Sequence, residues 1–323
     1  MRLLLGVLFA LLLLAGGAFY AVKRYDAPGP LPAKTAVVVP RGGLDQVAAA
    51  LERDGVVAHG WELQAAALAT RGQGNIHAAE LEFPAAASLR QVLEVLRTAK
   101  PVQHKLTLAE GLTALQVTAL VDRAAALDGK TPEIAEGSLL PETYAYERAT
   151  TRAALVERAA RAMDRALDQA WSTRGPDLPL ASPREVLILA SIVERETAKP
   201  EERPRVAAVF LNRLRRGMKL QSDPTVVYGV SGGQGTLDHG LTRAELDQDT
   251  PYNTYRIAGL PPGPICMPGL SALKAVTQPA DTDELFFVAD GTGGHVFART
   301  EQEHLRNVAR WREVERVRAR PSQ

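Results

Sequence analysis

The sequence contains a single cysteine, Cys266, and almost no net charge, and these two shortages exclude several classes of protein. One cysteine cannot form an internal disulfide, and without a CxxC pair or a Cys/His cluster the chain lacks a zinc-binding pattern. Its 38 Lys and Arg side chains balance 37 Asp and Glu side chains, so the net charge is +1 and no long-range field attracts nucleic acid. We therefore expect no metal, no cofactor and no nucleic-acid partner.

Internal repeats and low-complexity tracts are also lacking, whereas apolar residues are plentiful. The 323 residues are 46% hydrophobic, which suits one large domain or two ordinary domains with a proper core. Short strands mix with helices and show no regular βα alternation, and this pattern predicts an α+β fold.

Charge is absent from the first apolar run, Leu3 to Val22. About twenty residues in a helix span roughly the 30 Å hydrocarbon core of a bilayer. We therefore predict a single-pass transmembrane anchor at residues 1–22, with the rest of the chain outside the cytoplasm. A cleaved signal peptide is the alternative, because Arg2, a leucine-rich run and small residues fit that plan too.

The remainder divides into three predicted segments. Prolines and a glycine make residues 23–34 an extended linker. Residues 35–100 alternate strand-like runs (TAVVV, AELEFP) with helical ones, which predicts a small α/β module. Residues 101–318 predict a larger mixed domain that includes a turn-rich EGSLLPETYAY, a long amphipathic helix and a β-hairpin formed by ELFFVAD and HVFART around DGTGG.

Two glutamates near the end of one predicted helix are the first candidates for chemistry. Ser182 and Pro183 mark the start of this helix, and Glu194 and Glu196 lie near its end. Glu196 falls on the apolar stripe of the helix, whereas Glu194 lies about 200° away, nearer the edge of the apolar arc. Desolvation favours the protonated carboxyl, so Glu196 is the better general acid. The alternative is a structural ion pair with a nearby arginine. The arginines within reach are Arg195, Arg203 and Arg213.

Two later stretches, QSDPTVVYG and TPYNTYRIAG, crowd hydrogen-bonding groups and aromatic rings together. The candidates for ligand contact are Gln221, Asp223, Thr225, Tyr228, Tyr252 and Asn253. Sugar rings stack on aromatic faces while their hydroxyls take directional hydrogen bonds, so this mixture suits a polyhydroxylated ligand. An Asx-type turn before proline and a rigid surface loop remain the structural alternatives. His295, in the predicted hairpin, is a further candidate, although a histidine in a turn is commonly only solvated.

Three runs together carry a family resemblance: LASIVERETAKPEERPRVAAVFLNRLRRGMKLQSDPTVVYG, YNTYRIAGLPPGPI and FVADGTGGHVF. They closely resemble the endolytic murein transglycosylase family, the MltG or YceG-like proteins of bacteria. The resemblance covers nearly the whole chain, and it implies a LysM-like module at residues 35–100 and a catalytic domain at 101–318. The run IHAAELEFP departs from the family pattern, with Ala78 where glycine is expected, so glycan binding by that module is open. Leu140 and Glu142 are mild departures.

The resemblance also implies an activity and a catalytic residue. Members cleave the MurNAc-GlcNAc bonds of nascent peptidoglycan strands on the periplasmic side of the inner membrane and leave 1,6-anhydro-MurNAc ends. We expect this cleavage to terminate strand elongation beside cell-wall synthases. The second glutamate of the ERET motif, Glu196, is then the catalytic acid and needs no second carboxylate. We expect supporting roles for Glu194, Asn212, Arg213 and His295. A glycan-binding scaffold without catalysis and a hydrolytic muramidase are the alternatives.

Overall fold

The computed structural model describes residues 2–318, and the chain forms two compact units. Within the described residues, one unit holds 2–104 together with Tyr146–Ala149, and the other holds Lys105–Ala145 and 150–318. Both mix helices and strands, which confirms the α+β prediction. The predicted domain boundaries and the LysM-like character of the first unit stay predictions.

The first unit has a two-stranded sheet covered by helices. Its elements are α1 (Arg2–Asp26), β1 (Thr35–Val38), α2 (Leu44–Arg53), α3 (Gly60–Ala69), a 3₁₀ turn (Arg71–Gln73), β2 (Glu80–Phe83) and α4 (Leu89–Thr98). The strands pair antiparallel, with Thr35 opposite Phe83 and Val38 opposite Glu80. Side chains from the strands and helices α2, α3 and α4 form one core, which includes the fully buried Leu51, Leu63 and Phe83.

Helix α1 carries the apolar run and extends past its end. Within it, Gly6–Asp26 is long and apolar enough to cross a membrane, by length and composition only. Segment 23–34 is not the free linker that its prolines predicted. The helix continues to Asp26, and Leu31 is buried in the core. Gly29 lies so close to Ala87 that a side chain would collide with the backbone there, so this segment packs on the unit.

The second unit is built around one central helix. Its elements are β3 (His104–Thr107), α5 (Ala114–Arg123), β4 (Leu127–Asp128), β5 (Thr143–Tyr146), β6 (Thr150–Thr151), α6 (Arg152–Ser172), α7 (Pro183–Glu196), α8 (Arg203–Arg215), α9 (Asp223–Val230), α10 (Arg243–Leu246), α11 (Leu270–Thr277), β7 (Phe286–Ala289), β8 (His295–Ala298) and α12 (Glu301–Arg318). Strand β3 pairs with β5, β4 pairs in parallel with β6, and β7 and β8 form the predicted antiparallel hairpin.

Helix α7 lies at the centre of this unit because α6, α8, α9 and α11 all pack against it. Leu189 and Ile192 of α7 share a core with Met163 of α6, Phe210 of α8 and Val276 of α11. Each of these five side chains is almost completely buried. The central position of α7 fixes the end of the helix, where the two glutamates lie.

Candidate active site

Local sequence determines where α7 begins. The Ser182 hydroxyl accepts a hydrogen bond from the Glu185 N–H, and Pro183 occupies the first turn, where a missing N–H does no harm. Fourteen residues later the helix ends at Glu196, with Thr197 as its C-cap in extended conformation. The predicted start of α7 is therefore confirmed. Because the helix is regular, its start also fixes the direction in which the side chains of its last turn point.

Glu194 is more deeply buried than its position on the helix predicted. Every residue from Ile188 to Glu194 is buried, because α6, α8, α9 and α11 all pack against α7. One carboxylate oxygen accepts from Arg203 Nη2 at 2.6 Å, and the other accepts from the Gly269 N–H at 2.9 Å. Arg203 also reaches Glu110 at 3.2 Å. Glu194 thus forms the structural ion pair that the sequence left open, and Arg203 is its partner.

Burial raises the pKa of Glu194, while the Gly269 amide and the Arg203 guanidinium oppose that rise. Both oxygens of this carboxyl already have partners on α8 and at the start of α11, so neither is directed at a ligand. Glu194 is a supporting residue that ties three elements together at the end of α7.

Glu196 has a different environment. Part of its surface is accessible, although protein atoms densely surround its carboxyl. One carboxyl oxygen accepts a hydrogen bond from the Ser222 hydroxyl. Desolvation raises the pKa of Glu196 to about 7, and the negative charge of Asp223 adds to the rise, whereas the Ser222 hydrogen bond and the Arg213 charge oppose it. At neutral pH this carboxyl therefore exists in both protonation states, as a group that donates and then accepts a proton requires.

A network of buried hydroxyls holds Ser222 in place. The Ser222 N–H donates to Thr254 Oγ1 at 2.9 Å, and Thr254 Oγ1 lies 2.8 Å from Thr225 Oγ1. Thr225 in turn donates to the Ser222 carbonyl at 2.7 Å. Because all three side chains are buried, the hydroxyl facing Glu196 has little freedom to move. Sequence patterns do not single out Ser222 within its polar stretch, since its partner lies 26 residues away.

The stretch around Pro224 forms the start of α9 and is not simply an Asx-type turn. Gln221 and Asp223 are both exposed beside Ser222. Gln221 has a φ of +52°, and its N–H donates to the Thr254 carbonyl at 3.2 Å. Asp223 accepts from the Tyr255 hydroxyl at 2.5 Å. Asp223 is close enough for its charge to raise the pKa of Glu196, and both exposed side chains are open to solvent.

The two predicted aromatic contacts are adjacent to each other. The rings of Tyr228 and Tyr252 have centroids 4.7 Å apart at an interplanar angle of 57°, and both side chains are half-buried. Tyr228 donates its hydroxyl to Glu136 at 3.1 Å. Burial raises the pKa of Tyr228 and also that of Glu136, whose other oxygen accepts from the Ala114 N–H. Glu136 belongs to the EGSLLPETY element, and the sequence alone does not connect it with these tyrosines.

Thr225 and Asn253 do not line a cleft, contrary to prediction. Neither residue exposes any surface. Thr225 belongs to the hydroxyl network, and the Asn253 amide donates to the Leu246 and Gln248 carbonyls at 2.9 and 2.6 Å. Polar side chains at these positions satisfy buried backbone groups, which a sequence pattern cannot distinguish from ligand contacts. Both side chains thus bind neighbouring backbone carbonyls.

The other predicted supporting residues differ in what they hold. Asn212 donates to the Thr282 and Glu284 carbonyls, and Arg213 donates to the Leu285 and Leu220 carbonyls. Both residues thus bind the segment that leads into β7. The positive charge of Arg213 also lowers the pKa of Glu196.

His295 lies at the start of β8, where its ring is 2.8 Å from a Glu202 oxygen. Glu202 also accepts from the Thr197 hydroxyl, one residue beyond Glu196. His295 is thus partnered and is not the solvated turn residue of the alternative interpretation. Among the described residues, no group of three His, Cys, Asp or Glu side chains is placed to hold a metal ion.

The site defines a class of protein. A carboxyl with a pKa near neutrality, close to the Ser222 hydroxyl and to the exposed Asp223, suits acid–base chemistry on a ligand rich in hydroxyl groups. The chain belongs to the YceG-like family, whose model matches residues 37–310.

Two relatives with known descriptions match about half of this chain. An endolytic murein transglycosylase of Streptococcus pneumoniae is 40% identical over 181 residues, which cover 54% of this chain and 32% of that protein. A second protein of that description, from Bacillus subtilis, is 36% identical over 171 residues, or 52% of this chain and 46% of its own length. The chain thus spans less than half of the length of either relative.

The fold is shared with a solved structure. A crystal structure of a YceG-like protein from Listeria monocytogenes matches with a TM-score of 0.54 and 25% identity, covering 84% of this chain and 98% of that one.

Proposed function

We propose that this chain is a lytic transglycosylase that cleaves MurNAc-GlcNAc bonds within peptidoglycan glycan strands. The observation that carries the proposal is the Glu196 carboxyl, whose pKa is raised to about 7 at the end of a rigid helix beside exposed polar groups. The descriptions of the Streptococcus and Bacillus relatives support the choice of substrate.

One carboxyl suffices for the proposed reaction. Protonated Glu196 gives its proton to the glycosidic oxygen as the bond from that oxygen to C1 of the muramic acid breaks. The 6-hydroxyl of the same sugar then bonds to C1, and its proton passes to the Glu196 carboxylate. The products are a 1,6-anhydro end and a new free hydroxyl, and no water is consumed. A glycoside hydrolase instead places two carboxylates around the bond and uses water.

Neighbouring side chains have separate parts in this proposal. Ser222 orients the Glu196 carboxyl, and Asp223 helps keep it protonated through its negative charge. Gln221 and Asp223 offer hydrogen bonds to sugar hydroxyls, while the paired rings of Tyr228 and Tyr252 offer an apolar face. Glu194 serves the helix and takes no part in proton transfer.

We also propose that α1 anchors the protein in the inner membrane, with both units on the periplasmic side. Its apolar length supports a single membrane crossing. From that position the enzyme would act on strands that synthases are still extending, and cleavage would terminate elongation. Binding of glycan by the first unit, as a LysM-like module, belongs to the same proposal.

Product analysis tests the proposed reaction. The full chain is incubated in detergent micelles with glycan strands, and the fragments are identified by mass spectrometry. We expect 1,6-anhydro ends with the unchanged chain and none with Glu196→Gln, because an amide cannot transfer the proton. Glu201→Gln is the matched control, since this exposed glutamate lies five residues further on, in the connection between α7 and α8.

Each result assigns a function. Anhydro ends that persist in Glu196→Gln would contradict the role of this residue. Reducing ends would identify a hydrolytic muramidase, and binding without any cleavage would identify a glycan-binding scaffold.

A further inference from the structure

Helix α3 in the first unit exposes an apolar face. Trp61, Ala65 and Leu68 are spaced four and three residues apart and lie on one side of the helix. Trp61 is 65% exposed and Leu68 is 64% exposed, while Leu63 and Ala67 on the inner side belong to the core. A helix on the surface of a water-soluble domain normally presents charged residues outward, so this face is suited to a non-aqueous neighbour.

The apolar face lies beside the end of α1. The Arg24 guanidinium makes two bonds to one Glu62 oxygen, at 2.9 and 3.0 Å, and a third to the other at 2.8 Å, which fastens α1 to α3. Between the two helices is a groove of about 450 Å³. Its lining is apolar and includes Tyr20, Tyr25, Trp61, Ala65, Ala66 and Ala69.

Two further contacts fix α1 on the unit. Asp26 accepts two bonds from Arg90 of α4, at 2.6 and 3.0 Å, and the same guanidinium lies 5.0 Å from the Tyr25 ring centroid. The following Leu31 is buried in the core. These contacts fix the end of α1 against the first unit. The depth of α1 in a membrane therefore determines how far α3 lies from the centre of the bilayer.

The contacts place α3 at the level where the hydrocarbon core of a bilayer ends. If the apolar run of α1 fills the hydrocarbon core, Tyr20 lies close to its boundary, and Arg24 lies about 6 Å further along the helix. Trp61 lines the same groove as Tyr20 and Arg24. Trp and Tyr side chains concentrate at this level of a membrane because one side of the ring is apolar and the other is polar.

We propose that the outer face of α3 lies in the boundary between headgroups and acyl chains, so that the first unit rests on the membrane as a second contact besides α1. The occupant of the face is lipid, because the face is continuous with a helix suited to span the bilayer. The inference rests on the proposed membrane anchor, and the experiment separates the two.

Spin labels at three sites in the full chain measure depth directly. The single variants Leu68→Cys on α3, Leu13→Cys in the middle of α1 and Glu82→Cys on the exposed side of β2 each carry one nitroxide. The native Cys266 is buried and stays unlabelled in the folded chain. After reconstitution into vesicles of phosphatidylethanolamine and phosphatidylglycerol, oxygen reports contact with lipid and a soluble nickel chelate reports contact with water.

We expect the ratio of oxygen to nickel accessibility to be several-fold higher at position 68 than at position 82, and highest at position 13. A lipid-like ratio at 13 with a water-like ratio at 68 would overturn the contact while leaving the anchor intact. Water-like ratios at both positions would overturn the anchor and the contact together. A label at 68 hidden from both reagents would mean that protein, such as a second copy, covers α3.

Discussion

Glu194 and Glu196 lie two residues apart at the end of the same helix, yet their carboxyls have different partners. Glu194 is enclosed by Arg203 and the Gly269 amide, so both of its oxygens are occupied by fixed donors. Glu196 has one neutral donor, Ser222, and the negative charge of Asp223 nearby. The comparison teaches that burial raises the pKa of both carboxyls, and that they differ in whether fixed donors occupy both of their oxygens.

The largest expected effect is on the reactive side of this comparison. Glu196→Gln should lower the rate of glycan cleavage by about 10²- to 10⁴-fold, because the amide keeps the shape of the side chain and removes proton transfer. Initial rates of anhydro-end release measure it, and the thermal midpoint at pH 5 serves as the folding control. A rate equal to that of Glu201→Gln would place the acid elsewhere.

On the structural side, Arg203→Met should destabilise the fold by about 3–5 kcal/mol, because it leaves Glu194 buried without its partner. Adding Glu194→Gln should restore most of this loss, since the remaining group is then neutral. Denaturant unfolding of the full chain in micelles measures both. Arg216→Met, at an exposed arginine beyond the same helix, is the control, and an equal effect there would refute the buried-pair account.

A third expectation concerns the dependence of stability on pH. The pKa of Glu196 is about 7 in the folded chain against an ordinary value of 4.5, so the folded state binds the proton more tightly. The free energy of unfolding therefore falls as pH rises from about 4.5 to 7. Glu196→Gln lacks this dependence. Between pH 4.5 and 7, its free energy of unfolding should therefore rise by up to about 3 kcal/mol relative to that of the unchanged chain. Unfolding curves at pH 4.5 and 8 that differ equally for both chains would contradict the raised pKa.

The smallest effects should come from the two groups that adjust the pKa of Glu196. The Ser222 hydrogen bond lowers this pKa, so Ser222→Ala should shift the alkaline fall in activity to higher pH. Asp223 raises it, so Asp223→Asn should shift the fall to lower pH. Profiles of kcat against pH measure both shifts. Displacement of the two profiles in the same direction would show that the mutations act through substrate positioning.

The elements best predicted from sequence are those with local signals. Ser182 and Pro183 mark the start of α7, and DGTGG marks the hairpin, because capping and turn residues act on their immediate neighbours. Helix α12 is missed, since its sequence is mainly charged and the packing that defines it is against β7 and β8. Segment 23–34 is misjudged because composition does not reveal that Leu31 enters a core.

Residues of the candidate site also differ in how far local sequence indicates them. Glu196 is indicated by its place on the apolar side of α7, but Glu194 is judged too exposed because a single helix cannot show how many neighbours will surround it. Buried Thr225 and Asn253 resemble ligand contacts in sequence, as both are polar residues in loop-like stretches. Ser222 and Glu136 become visible only in three dimensions, because their partners are distant along the chain.

Gln221, next to Ser222, has an unusual backbone conformation. Its backbone adopts a left-handed conformation that glycine adopts freely, and a side chain at such a φ costs about 1–2 kcal/mol. An exposed amide next to Glu196 is thus maintained against the preference of its own backbone. Glycine at this position would relieve the conformational cost and would at the same time remove the exposed amide.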